Sequence, residues 1–275
     1  MCFRKKVCFS VGVGVLLVGI SGCSIGGSGG ELSDVTAPDT SEKVAISSEN
    51  SQKVLALTVG GISRIPLTIP DIPDFNFAEL FAASLVDYEC EEGGKIELDD
   101  IDSSGGWVTF KNCKQKGVTI NGEADVSVEG SRYSVVMDHV HIQDNRGEAM
   151  LDRVYLNRNG NDFTANFVSA SINYDGYSAV LANYEVSRTG TTMQINGNLK
   201  SSCLGGWIGI HTNTPIYVVQ NSCPDAGSLT VVGSGSSSMD IAFNTDGSLS
   251  TSVNGTLDRS YGSCHEVDTL IQSCR

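Results

Sequence analysis

Cysteines, a pair of histidines, an aspartate run and a few aromatics are the residues of this 275-residue chain whose types and spacing could do chemistry. Cys90, Cys113, Cys203, Cys223, Cys264 and Cys274 form an even set past residue 89. None sits in a C-x-x-C pair or in a Cys/His cluster at zinc spacing, so disulfides are favoured over a metal site. Six cysteines leave many pairings open; loop economy favours Cys90–Cys113, Cys203–Cys223 and Cys264–Cys274, each stabilising by about 2–4 kcal/mol. His139 and His141 alternate along a strand and so point the same way, which could hold a metal beside Asp138 or Asp144. Asp138 has the opposite parity, and two surface histidines around a buried Val140 is the simpler reading. Asp99, Asp100 and Asp102 before Ser103-Ser104-Gly105 resemble part of a calcium loop, but the distal bidentate glutamate is missing, as Phe110 and Lys111 stand there. A solvated acidic hairpin tip explains them. Gly26-Gly27-Ser28-Gly29-Gly30 fits G-x-S-x-G, yet it has neither the strand before nor the helix after that a nucleophile elbow needs. Trp107 and Trp207, each after a glycine pair, could form a sugar platform with Tyr174 and Tyr177; packing residues at strand starts is the plainer account. Nothing else pairs a nucleophile with a base, no cofactor pattern occurs, and the expectation is a non-enzyme.

The elements that would position these residues are mainly strands. Glycine is abundant (31), proline scarce (6), and long Ala/Leu/Glu/Lys stretches are missing, which favours strands and tight turns. From Cys90 the apolar period is two: Ile96 and Leu98, Val108 and Phe110, Val118 and Ile120, Val126 and Val128, Val140 and Ile142, Val154 and Leu156. Val180, Ala182, Tyr184 and Val186 continue it as one face, then Met193 and Ile195. Glu129-Gly130, Asp144 to Gly147, Asn159-Gly160, Asp175-Gly176 and Thr189-Gly190 read as turns. The expected fold is mainly β: a long antiparallel meander of about ten or more strands, curled into a barrel, half-barrel or sandwich, with one or two short N-terminal helices. One helix falls within about Ser48–Val59. A second follows Asp74 over Phe75–Val86, with Phe77 and Phe81 on its apolar face. That helix packs on the sheet or, in a sharper reading, lids an apolar ligand cavity.

Residues 90–122 and 223–255 match at a constant shift of 133: Cys90/Cys223, Gly94/Gly227, Phe110/Phe243 and Asn121-Gly122/Asn254-Gly255 are identical. Asn196-Gly197 echoes the same strand ending. A two-copy module within the domain 90–275 is expected.

The N-terminus carries a positive end (Arg4, Lys5, Lys6), an apolar stretch from Val7 to Ile20, then Ser21 and Gly22. Fourteen helical residues reach about 21 Å, short of a bilayer core of roughly 30 Å. Ile20-Ser21-Gly22-Cys23 resembles the lipobox of bacterial lipoprotein signal peptides. That resemblance implies lipid on Cys23, cleavage of 1–22, and, with Ser24 rather than Asp next, an outer-membrane anchor facing the periplasm or the cell surface. Residues 23–47, rich in Gly, Ser and acids, are then a tether, and 48–89 hold the short helices and a Pro-rich connection. The pattern Cys-x-x-x-Gly, alternating strand, Phe-x-x-Cys, Asn-Gly resembles uncharacterised β-rich lipoproteins of proteobacteria over roughly residues 75–260. It implies a fold and no activity.

Removing 1–22 takes away three cations and no acid, so the formal charge of −14 becomes −17. Such a chain repels phosphate backbones, which sets nucleic acid aside. The expected role is non-enzymatic envelope binding or structure, with an apolar ligand, a glycan or an envelope protein as partner. A carrier of a lipid within a curved sheet and a surface glycan-binding module are the alternatives.

Overall fold

The computed structural model describes residues 42–59, 87–102, 104–160, 162–174, 177–218, 223–268 and 270. The Phe75–Val86 helix with Phe77 and Phe81, the Gly26–Gly30 match, Cys23 and Cys274 lie outside them. Fourteen strands form one antiparallel sheet in strict chain order, mainly β and curved, and its edge strands do not pair to close a barrel. A helix α1 (Ser51–Val59) precedes β1 (Asp87–Glu89), β2 (Lys95–Asp102), β3 (Gly105–Gln115), β4 (Val118–Glu129), β5 (Arg132–Gln143), β6 (Gly147–Asn159), β7 (Asp162–Tyr174) and β8 (Tyr177–Thr189). Then come β9 (Thr192–Ser201), β10 (Gly206–Tyr217), β11 (Ala226–Val232), β12 (Ser238–Phe243), β13 (Leu249–Val253), β14 (Thr256–Tyr261) and a short helix α2 (Cys264–Asp268).

One face of the sheet is buried and the other is wet, as the period of two requires. The buried inner face shares one core with Val54, Leu55, Ala56, Leu57 and Val59 of α1. The alternation breaks once within several strands. Inward residues run Val108, Phe110, then Cys113 in β3; Val135, Met137, then Val140, Ile142 in β5; Ala149, Leu151, then Val154, Leu156 in β6; Leu181, then Tyr184, Val186 in β8. Each break is a bulge, where an extra residue flips the phase and bends the strand. Asn112, His139 and Asn183 take left-handed φ of 49°, 55° and 46° there. The expected face of β8 is corrected accordingly: Ala179 and Leu181 face inward before the bulge, and Val180 does not.

Strands β4 and β9 keep phase and carry Asn-Gly instead. These dipeptides are not strand endings, as the sequence suggested, but seats for the neighbouring bulges. Asn121 Oδ1 accepts the backbone N–H of Asn112 at 2.8 Å, and Asn196 Oδ1 that of Thr212 at 3.1 Å. A Cβ on Gly122 would lie 2.8 Å from the His139 carbonyl oxygen, and one on Gly197 2.4 Å from Tyr184 Cα. Only Asn254-Gly255 is a turn, joining β13 to β14 with φ of 50° and 77°. The two stretches matched at a shift of 133 fall on β2–β4 and β11–β13, but their registers differ by two residues: Ile96 faces Phe110, whereas Leu229 faces Ile241.

Because the strands alternate in direction, the sheet has two poles. Cys90 bonds Cys113, with Cα atoms 5.4 Å apart. The other expected pairings are corrected: Cys223 bonds Cys264, Cα atoms 5.5 Å apart. Cys203 is disulfide-bonded as well, but not to Cys223. Loop economy fails because the chain between Cys203 and Cys223 is largely β10, whose 12 residues span about 40 Å from pole to pole. The start of β11 and the end of β14 share a pole, which is what lets Cys223 meet Cys264.

Candidate functional site

Three turns, β4–β5, β6–β7 and β8–β9, place Gly130, Gly160 and Gly190 at one pole, 30 residues apart in sequence, with φ of 62°, 60° and 58°. Left-handed backbone suits these short hairpins and favours glycine. Two residues before each glycine, the last inward position of the strand is Val128, Arg158 or Arg188. Cross-strand pairing then makes one row: Val128 faces Tyr133, Tyr133 faces Arg158, Arg158 faces Phe163, Phe163 faces Arg188 and Arg188 faces Met193. The inner face thus ends at this pole in arginines interleaved with aromatics.

The row borders an open cleft of about 750 Å³, also lined by Arg132, Ser134, Asn157, Asp162 and Thr164. Each guanidinium is held by its own turn: Arg158 Nε donates to the Gly160 carbonyl at 2.8 Å, and Arg188 Nε to that of Gly190 at 3.0 Å. Arg158 Nη1 also donates to the Tyr133 hydroxyl at 3.1 Å, with its carbon 5.9 Å from that ring's centre. Asp162 Oδ1 accepts the Gly190 N–H at 2.7 Å. Among the described residues no carboxylate forms an ion pair with Arg158 or Arg188. The next row inward, Val126, Val135, Leu156, Ala165, Val186 and Ile195, is at most 2% exposed.

The residues marked by sequence lie elsewhere. Trp107 is half-buried on the outer face of β3, opposite Asp99 and Asp125. Trp207 is buried at the start of β10, at the far pole, where Val44 donates its N–H to the Trp207 carbonyl at 2.9 Å and Lys200 Nζ lies 5.8 Å from the ring centre. The structure does not bring the two tryptophans together. His141 Nε2 lies 2.9 Å from Glu148 Oε2. The His139 bulge turns Asp138 outward, against its sequence parity, and Arg153 holds it in a fork at 2.9 and 3.1 Å. Asp102 accepts the Ser104 N–H at 2.6 Å, and the Ser104 hydroxyl and amide hold its carboxyl below the ordinary range. Asp102 therefore ties the β2–β3 turn.

Sequence reasoning passes over Arg158 and Arg188. A signal for them exists: each stands in phase with inward apolar residues (Val154, Leu156; Tyr184, Val186) and two before a turn glycine, where Val128 is the apolar counterpart. No protein-family model, curated protein or solved structure matches this chain.

Proposed function

We propose that this chain is an exported protein, held to the outer membrane by lipid on Cys23, that acts by binding at the arginine–aromatic cleft. The row Tyr133–Arg158–Phe163–Arg188 carries the binding reading: charged donors and ring faces are set at the end of an otherwise apolar surface. The Cys90–Cys113 and Cys223–Cys264 bonds fit an oxidising compartment. Geometry also suits a tethered receptor. Residues 43–46 run across the pole opposite the cleft: Ser234 N–H donates to Val44 O at 2.9 Å, and Ile46 N–H to Ser237 Oγ at 2.8 Å. A tether of residues 23–41 entering there would present the cleft away from the bilayer. The carrier alternative has less support, since the inner face is occupied by α1 and its own side chains among the described residues.

Cells grown with labelled palmitate should label the wild-type protein and leave Cys23→Ala unlabelled; an unlabelled wild type would refute the anchor. Hydrogen exchange of the detergent-solubilised full chain, with and without envelope extract, should show new protection at the β4–β5, β6–β7 and β8–β9 turns. Protection confined to other strands, or none, would refute the cleft as the site.

A further inference from the structure

We infer that the cleft takes an acidic glycan, a polyhydroxylated ligand bearing carboxylate or phosphate groups; this rests on the cleft being the binding site. Charge at the cleft favours an acid. An arginine offers five N–H donors. Arg158 spends two on Gly160 O and Tyr133 Oη, and Arg188 spends one on Gly190 O. Among the described residues the rest meet no carboxylate, although acids outnumber bases in this chain by 14. Half-buried guanidinia at the end of a core-facing row add nothing to an apolar core, and their turn carbonyls hold them in one orientation before any ligand arrives. The cleft lining carries Arg132, Arg158 and Arg188 against Glu129 and Asp162, and Asp162 is partly engaged by the Gly190 N–H. Local charge is therefore positive on an acidic molecule. Repulsion from the distant acids is screened beyond a Debye length of about 8 Å.

The arginines keep aromatic company. Phe163 stands between them, one strand spacing from each, so ring faces lie beside both forks. Such faces pack against the apolar side of a sugar ring, while the fork takes its acid group in two parallel hydrogen bonds. Arg158 and Arg188 stem from strands two spacings apart, about 9–10 Å, which suits two acid groups on one chain better than a single small anion. Depth counts against a lipid tail. Leu156, Ala165 and Val186, the next core-facing residues along these strands, are at most 2% exposed among the described residues, which disfavours a long acyl chain.

Titration calorimetry on the detergent-solubilised full chain tests this with oligogalacturonate, a phosphorylated hexose oligomer, a neutral galactose oligomer and phosphatidylglycerol vesicles. At least one acidic oligomer should bind, at least tenfold tighter than the neutral one, and weaken as salt rises. Arg158→Gln with Arg188→Gln should cut that affinity tenfold or more without moving the thermal melt. Equal binding of the neutral oligomer, acidic binding indifferent to the arginine pair, or no acidic binding would overturn the ligand class. Arginine-dependent binding of the vesicles alone would overturn it too, while leaving the cleft as the site. Exchange protection away from the cleft would remove both.

Discussion

Strands β5 to β8 run 12 to 13 residues each and change phase midway, whereas β11 to β13 run 7, 6 and 5 and keep one phase. A long strand that stayed in phase would let the sheet spread without curling; the bulges bend it around α1 and return the apolar side chains to the core. Short strands have little to bend but also few ladder bonds, and the C-terminal strands are fastened by other means. The Cys223–Cys264 bond spans them, and Ser51 Oγ of α1 donates to Asp258 Oδ2 of β14 at 2.7 Å. The middle of the sheet is thus ordered by backbone fit, and its C-terminal part by sulfur and by the helix beneath it.

Substitutions test that contrast directly. Gly197→Val puts a branched side chain where a Cβ already meets Tyr184 Cα at 2.4 Å and φ is 138°, so it should cost about 3 kcal/mol or more in urea unfolding. Gly255→Ala, in a turn with open space around it, should cost only about 1 kcal/mol. Similar losses would mean the bulge seats are not special. Replacing Cys223 and Cys264 together by Ser should cost about 2–4 kcal/mol, with faster hydrogen exchange concentrated in β11–β14; an equal rise in β5–β8 would erase the distinction. Asn196→Ala leaves the Thr212 N–H unpaired in a largely buried site and should cost about 1–2 kcal/mol. Asn254→Ala, whose bond to the Ser238 N–H is exposed, should cost less than half of that.

Arg158→Leu with Arg188→Leu extends the inner face of the middle strands and should leave stability unchanged or raise it by up to about 1 kcal/mol, as expected where residues serve binding rather than folding. A marked loss would assign them to the core instead. The smallest effect falls in two hairpin turns, one N-terminal to the middle strands and one among the C-terminal ones. Asp102 and Asp246 each accept the N–H and hydroxyl of a serine two residues on, and both carboxyls are held below the ordinary range by those bonds, the hydroxyl first. Each therefore favours folding above the ordinary aspartate pKa and loses that contribution as pH falls through its own lowered value. Ser104→Ala and Ser248→Ala should each raise the partner's titration midpoint by NMR, with unfolding midpoints at neutral pH hardly moved.

The strands were legible because inward apolar residues alternate between glycine-bearing turns: Val154 and Leu156 before Gly160 mark both the face and the end of β6. Phase changes were not, since a bulge such as His139 looks like one more alternating residue until its register partners are known. Asn-Gly misled for a physical reason: the same tolerance of left-handed backbone serves a turn at Asn254-Gly255 and a close interstrand approach at Asn121-Gly122. Cysteine spacing in sequence ignored that an intervening strand carries its ends to opposite poles. The cleft was hidden because an arginine next to a turn looks like ordinary solvent-facing polarity. Only the parity of Arg158 and Arg188 with Leu156 and Val186 reveals that they belong to the inward row.

Every ladder in the sheet joins strands consecutive in the chain. Assembly can then advance like a zip, each hairpin closing a short loop at low entropic cost against a partner already laid down. One element must wait. Helix α1 is synthesised before any described strand, yet it leans on Asp258 of the last one and on the C-terminal helix α2. Made ahead of the described strands, it is therefore the last element to settle, and a chain halted before β14 would lack the contacts that seat it.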